Sequence, residues 1–381
     1  MAGIAYNEDE ELNAWEEQQQ PQQQNRRLNL PLATEYGGSF IRKTTGSPAD
    51  GPQEGHAKQW LASLGIGIAS LFSECILTHP CIVIRRQCQV HRMATRYHIT
   101  PFSLLAVVVN LQKRQGLSTL WKGLGSVFIL RGITLGVEDL LSKITSLPKE
   151  VSRHNSMRTI GKHLLLKSLS FMVVTPFFSS SLVETVQSDI ASETPGIFDC
   201  IKEGIKRLVS TRMSATCRVV PVWLLLAPTV ILGVAQYVVS SSVQFIALRT
   251  LRLKEVERHN SEQTRYGYSL STAENCLLEL SAAFVGHFFS DVLLYPLETV
   301  VYRLHVQGTR TIIDNLDTGC EVIPLITRYD GVVDCFNGVI RDEGVSGLYK
   351  GFGALLLQFA IRLSILRLTK FIYRELHQKT N

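Results

Sequence analysis

An all-α, multi-pass membrane protein assembled from three degenerate repeats is the fold class that the sequence predicts. Three observations carry it: apolar residues cluster in six stretches, two glycine-aromatic-lysine-glycine blocks match in register, and a proline falls near the end of every other stretch. The chain of 381 residues is 45% hydrophobic and only 19% charged. Its apolar stretches lie at about 59–79, 123–144, 160–183, 219–248, 275–296 and 351–373. Most reach the roughly 20 residues that an α-helix needs to cross a bilayer core. The competing reading is a large soluble helical protein, whose helices would average nearer about 12 residues.

Residues 1–56 combine an acidic run from Glu8 to Glu17, a glutamine tract from Gln18 to Gln24 and a Gly/Pro/Ser-containing stretch through Pro52. None of these can bury a core, so a disordered tail is expected there. The net charge of +6 is spread through every connecting segment and no nucleic-acid-reading motif accompanies it. Lys and Arg therefore read as loop and lipid-headgroup residues, with no nucleic-acid partner. Because both sets of loops are basic, charge bias leaves the orientation open. The eight cysteines (Cys75, Cys81, Cys88, Cys200, Cys217, Cys276, Cys320 and Cys335) form no Cys-x-x-Cys pair. Neither a zinc site nor a disulfide framework is indicated, and a reducing compartment fits. The N-terminus is acidic where a presequence would be arginine-rich, so a cleavable targeting segment is not expected.

From about residue 57 the chain repeats itself. Gly116, Trp121, Lys122 and Gly123 are in register with Gly344, Tyr349, Lys350 and Gly351. Gly196-Ile-Phe-Asp199-Cys200 likewise parallels Gly331-Val-Val-Asp334-Cys335. Upstream of these blocks, Pro80, Pro176 and Pro296 each stand near the end of an apolar segment. Each repeat thus reads as apolar helix, proline, polar connection, short amphipathic helix, apolar helix. Proline removes a backbone donor, so each of the three is expected to bend its helix and let the odd-numbered helices converge.

Pro296-Leu297-Glu298 with Arg303, then Tyr329-x-Gly331-x-x-Asp334-Cys335 and Glu343-Gly344 through Gly351, resembles the two-part signature of the mitochondrial carrier family, solute carrier family 25. The resemblance covers roughly residues 57–375. It implies the three-repeat, six-helix mitochondrial carrier fold with degenerate repeats: repeat one at 57–150, a degenerate repeat two at 151–260, and repeat three at 261–381 with an enlarged loop at 305–327. The run Arg303-Leu-His-Val-Gln-Gly-Thr-Arg-Thr-Ile-Ile-Asp-Asn315, taken with the acidic tail, is similar to the outer-membrane branch of that family. That branch is tied to mitochondrial fusion, fission and cristae organisation. The resemblance implies an adaptor with a cytosolic N-terminus, whose partners include mitofusin-type and dynamin-related GTPases and the cristae-junction complex. Phospholipid is a further candidate partner.

In carriers the acid two residues after the proline and the base five residues after it pair between neighbouring repeats and hold one end shut. Here Pro80 is followed by Ile82 and Arg85, Pro176 by Phe178 and Ser181, and Pro296 by Glu298 and Val301. By the family's pairing order one bridge of three, Arg85 with Glu298, can form. A two-state cycle needs a differential interaction to bias it, so the transport cycle is expected to be weakened or abandoned. The Pro296, Glu298 and Arg303 cluster has two readings, a kinked helix end held by an ion pair or a partner contact. The 305–327 insert is either a partner contact or a passive loop.

Arg131, Glu138, Arg362 and Arg367 fall in or at the ends of expected membrane helices, where charge marks an interior or a water-filled cavity. They are candidate cavity charges for an anionic metabolite, or side chains inherited or snorkelling without one. Pro221 and Pro228 predict a kinked or late-starting fourth helix. Ser179–Ser181 and Ser240–Ser242 lack an accompanying histidine and acid, so they read as helix-packing residues, as do Gly65, Gly67, Gly132 and Gly136. No enzymatic motif is present, and neither catalysis nor a cofactor is expected. The rivals to an adaptor are an inner-membrane solute carrier and a lipid-transfer scaffold.

Overall fold

The structure is a computed structural model in which residues 74–92, 94–149, 157–189, 196, 198–209, 222–261, 272–309, 311–317 and 321–380 are described. The expected tail at 1–56, most of the first apolar stretch, Gly65, Gly67, Pro221, Cys217 and Cys320 lie outside the described residues. Repeat one supplies helix α1 over 74–90, the short surface helix α2 at Leu104–Gln115, and α3 at Leu124–Thr145. Repeat two supplies α4 at Met157–Val186, α5 at Asp199–Val209 and α6 at Val222–Ser261. Repeat three supplies α7 at Thr272–Leu293, α8 at Tyr295–Val306, α9 at Val332–Glu343 and α10 at Phe352–Thr380. The order is the one the repeats predict, and the fold is the all-α carrier fold.

Two features depart from the sequence reading. A two-stranded antiparallel hairpin, β1 at Ile312–Asp314 and β2 at Val322–Pro324, occupies the insert. The prolines also act unequally. At Pro296 the helix breaks between Leu293 and Tyr295, and α7 and α8 meet at 67°. At Pro80 and Pro176 the helices run on unbroken. In α4 the hydroxyls of Thr175 and Ser179 bond the carbonyls of Phe171 and Thr175, which supplements the backbone ladder around the missing donor.

The surface helices form because their apolar residues fall on one face. Leu104, Val107 and Leu111 of α2 pack with Ile84 and Cys88 of α1, with Leu120, and with Leu316 from the insert. Cys335 and Val339 of α9 pack against Val300 and Leu304 of α8 in the same way. Both helices stop at a glycine with positive φ, Gly116 at 84° and Gly344 at 75°, whose N–H caps the preceding turn.

Three helices are long and apolar enough to cross a membrane among the described residues: Met157–Val186, Trp223–Lys254 and Val345–Ile372. The bent pair α7–α8 makes a fourth if counted as one span. Helix α3 has the length but carries Arg131, Glu138, Asp139 and Lys143, which lowers its apolar character. Pro228 lies inside α6, whose first residue is Val222. Only a third of the most apolar window of α6 is buried against the rest of the protein. Trp223, Leu224, Ile231 and Ile246 point outward, as a helix facing hydrocarbon requires.

Helix packing follows the chain order, α3 on α4, α4 on α6, α6 on α7 and α7 on α10. The Arg362–Glu74 ion pair, at 2.8 Å, joins α10 back to α1. Ser179, Ser180, Ser181, Ser240 and Ser241 are buried in these seams, while Ser242 faces out. The expectation that Gly132 and Gly136 serve close packing is corrected, because a Cβ built at either would meet nothing within 4 Å. Close approaches within the bundle occur instead at glycines such as Gly204, Gly233 and Gly286; at Gly286 a Cβ would stand 2.6 Å from the Ser240 carbonyl oxygen. Five cysteines (Cys75, Cys81, Cys88, Cys200 and Cys335) are free thiols among the described residues.

Candidate functional site

The candidate site is the end of the bundle where α1, α4 and α8 converge. Arg85 Nη2 stands 3.0 Å from Glu298 Oε1, with both side chains buried. This ion pair joins repeat one to repeat three. At this end of the bundle the other two seams hold no such pair among the described residues. Between repeats two and three, the His305 ring lies 2.6 Å from Ser179 Oγ through Nδ1 and 2.7 Å from Thr229 Oγ1 through Nε2. Phe178, standing at an acid position, packs its ring against Tyr302 and His305. Between repeats one and two, Ser181 meets Ser126 at 3.1 Å and Arg86 donates to Thr185 Oγ1 at 3.0 Å. At this end, two of the three seams are thus closed by hydroxyls, aromatic rings and the Arg86 guanidinium, with no ion pair among the described residues.

Arg303 lies immediately below this layer. Its guanidinium forks onto Glu343, with Nη1 at 2.5 Å and Nη2 at 2.9 Å, and its Nε donates to the Gln89 carbonyl at 2.9 Å. Lys350 pairs with the same carboxylate at 2.6 Å and donates to the carbonyls of His91 and Arg92. Arg303 is 2% exposed. Such burial removes it from any partner surface and makes it a structural tie between α8, α9 and α1.

The repeated motif has a common geometry. Gly123 and Gly351 both take the left-handed conformation, at φ 68° and 78°, beside close neighbours: a Cβ would meet Thr185 Cγ2 or Cys88 Cβ at 2.7 Å. The residue before Pro80 and the residue before Pro296 each reach the carbonyl of the motif lysine. His79 Nε2 bonds Lys122 O at 2.9 Å, and Tyr295 OH bonds Lys350 O at 2.7 Å. Sequence reasoning did not single out His79 and Tyr295; their identical offset from Pro80 and Pro296 was the available signal. Trp121 donates to Ile76 O, and its counterpart Tyr349 stacks on Tyr295. Asp334 accepts the Asp330 N–H at 3.1 Å and its repeat-two counterpart Asp199 accepts the Gly196 N–H at 2.7 Å, each closing the turn into a surface helix. Gly331 has an extended backbone and open space around it.

Two of the candidate cavity charges are matched by ion pairs. Arg362 pairs with Glu74, and Glu138 forms a buried ion pair with Lys167. Arg131 Nη1 approaches Cys75 Sγ at 2.9 Å. Arg367 is exposed on the outer side of α10.

The insert is an ordered part of the fold and not a passive loop. Ile313 and Leu325 are buried with Val90, Leu182, Val186, Tyr302 and Val306, and Leu316 is buried with Ile84 and Cys88. Its apolar residues complete the core of all three repeats. Two carboxylates anchor it. Burial alone would raise the pKa of Asp314, but the Lys122 charge and hydrogen bonds from Ser188, Gln115 and Lys122 outweigh that and hold it below the usual carboxylate range. Asp317 is lowered too: burial opposes the shift, and the N–H groups of Thr95 and Arg96 with the Thr95 hydroxyl prevail.

This geometry of three helix pairs with proline-marked odd helices, surface helices and glycine-capped lysine motifs defines a carrier-type bundle. Residues 56–142 and 273–379 match the family described as Mitochondrial carrier protein. The chain belongs to that family. It is 46% identical over 348 residues to the Gallus gallus protein named Mitochondrial outer membrane protein SLC25A46, covering 91% of this chain and 85% of that one. The Homo sapiens protein of the same name is 46% identical over 350 residues, covering 88% of this chain and 83% of its own. The Xenopus laevis protein named Solute carrier family 25 member 46-A is 45% identical over 353 residues, covering 91% and 84%. The chain is therefore a carrier-family protein, and several of its relatives are named for the mitochondrial outer membrane.

Proposed function

We propose that the protein is a non-transporting adaptor of the mitochondrial outer membrane that uses the carrier fold as a fixed scaffold. Its N-terminal tail would lie in the cytosol and, with some inter-helix loops, recruit mitofusin-type and dynamin-related GTPases and the cristae-junction complex, so regulating fusion, fission and cristae. The observation that carries this reading is that, of the three bridges the carrier family forms between its odd helices, the converging ends hold Arg85–Glu298, while hydroxyl, aromatic and Arg86–Thr185 contacts without an ion pair fill the other two positions. Alternating access needs two states of comparable free energy, and packed hydroxyl and aromatic seams carry no exchangeable ion pairs to balance them. The names of the relatives support the outer-membrane location.

An anionic-metabolite carrier is disfavoured at Arg362, which already holds Glu74, and at Lys167, which already holds Glu138. The lipid-transfer scaffold has no structural observation in its favour.

The deciding experiment is protease access to a tag placed before residue 57, in intact mitochondria and again after rupture of the outer membrane. Cleavage in intact organelles, with the protein retained in the membrane, is the expected result. Protection until rupture would overturn the outer-membrane adaptor and return attention to Arg131 and Arg362.

A further inference from the structure

In repeat three the tie between helix and motif is cation, carboxylate, cation: Arg303, Glu343 and Lys350. Repeat one has the same positions, seven residues after its proline and seven residues apart across its surface motif, but they read Gln87, Gln115 and Lys122. The lysine remains and the carboxylate is absent. Lys122 is nonetheless buried, with a side chain 6% exposed, and a buried cation without a counter-charge is strongly destabilising.

The missing carboxylate comes from elsewhere in the chain. Asp314, at the end of β1, accepts from Lys122 Nζ at 2.9 Å, from Gln115 Nε2 at 2.9 Å and from Gln87 Nε2 at 3.1 Å. It therefore contacts all three counterparts of the repeat-three tie and takes the role that Glu343 plays there. The strand that carries it is also tied to repeat two: the Ser188 N–H donates to Ile312 O at 2.7 Å, and Gln187 bridges Ile313. A few residues on, Asp317 accepts the N–H groups of Thr95 and Arg96 after α1. Leu316 and Ile313 enter two different core clusters between these anchors.

We propose that the β1–β2 hairpin is an internal latch: Asp314 supplies to repeat one the carboxylate that Gln115 cannot, while β1 binds repeat two, so the chain's own insert holds this end of the bundle shut. The latch compensates the two inter-repeat bridges that Ile82, Phe178, Ser181 and Val301 cannot form. It goes beyond the adaptor reading, and its failure would leave the tag-protection result untouched.

The test moves the charge instead of only removing it. In the full chain purified in detergent, Asp314→Asn leaves Lys122 without a counter-charge. Its thermal midpoint is expected to fall by about 5 °C or more, with faster amide exchange at Ser188. Adding Gln115→Glu to Asp314→Asn puts a carboxylate where repeat three has Glu343, and is expected to recover most of the lost midpoint. Gln115→Glu alone crowds two carboxylates together and is expected to destabilise. The latch is overturned if Asp314→Asn melts and exchanges like the parent, or if the double variant melts no higher than Asp314→Asn. Should Asp314→Asn alone fail to fold, a folded double variant still supports the proposal and an unfolded one overturns it.

Discussion

Arg303 shows how a side chain can look like a recognition residue in sequence and act as a buried tie in the fold. Its two fork contacts to Glu343 and its Nε bond to Gln89 O need a planar guanidinium, and lysine can make only part of that set. Arg303→Lys is expected to cost about 2–4 kcal/mol, read as a lower thermal midpoint and lower steady-state abundance. Any partner-binding loss should scale with that abundance; normal abundance with abolished binding would point to a direct contact. The two insert carboxylates make a pH prediction. Both have folded pKa values below their unfolded ones, so they contribute stability that is present above about pH 4 and is lost as pH falls through the folded values. Acid unfolding followed by intrinsic fluorescence should begin below about pH 4, and Asp314→Asn should flatten that limb by removing one of the two groups.

Among the elements, packing decides which small residues matter. Helices α6 and α7 approach so closely that Gly286 has no space for a side chain against the Ser240 backbone, whereas Gly132 in α3 faces open space. Gly286→Val is expected to destabilise by about 1–3 kcal/mol through overpacking. Gly132→Ala should be neutral or stabilising by up to about 1 kcal/mol, because alanine favours the helix. Melting both variants in detergent checks the contrast, and equal effects would contradict it. The prolines are unequal for a related reason. Pro296 stands at the first turn of α8, after a break at Leu294, while Pro176 is embedded among hydroxyl residues that bond the adjacent carbonyls.

For the molecule as a whole, the converging end is tied by the Arg85–Glu298 pair between odd helices, a histidine between two hydroxyls, aromatic packing and an inserted hairpin that pairs Asp314 with Lys122. Such an end has little to exchange between an open and a closed state. Purified protein in liposomes is therefore expected to show no exchange of labelled anionic metabolites above protein-free vesicles. Measurable exchange that vanished on Arg362→Ala would favour a carrier.

The sequence by itself determined the class of fold, through six apolar stretches, most of them of membrane-spanning length, and two motif blocks in register. The Arg85–Glu298 encounter followed from the resemblance to the carrier family, whose pairing order these two residues fit. Tertiary structure alone decided the rest. Asp314 is separated from Lys122 by 192 residues, and no local pattern announces that an insert carboxylate will settle beside a lysine left without an acid. Gly286 and Gly132 are equally glycine in the sequence, and only the distance to a neighbouring backbone separates them. Periodicity and spacing report what one segment will become, whereas the partner of a buried charge depends on which segments the folded chain brings together.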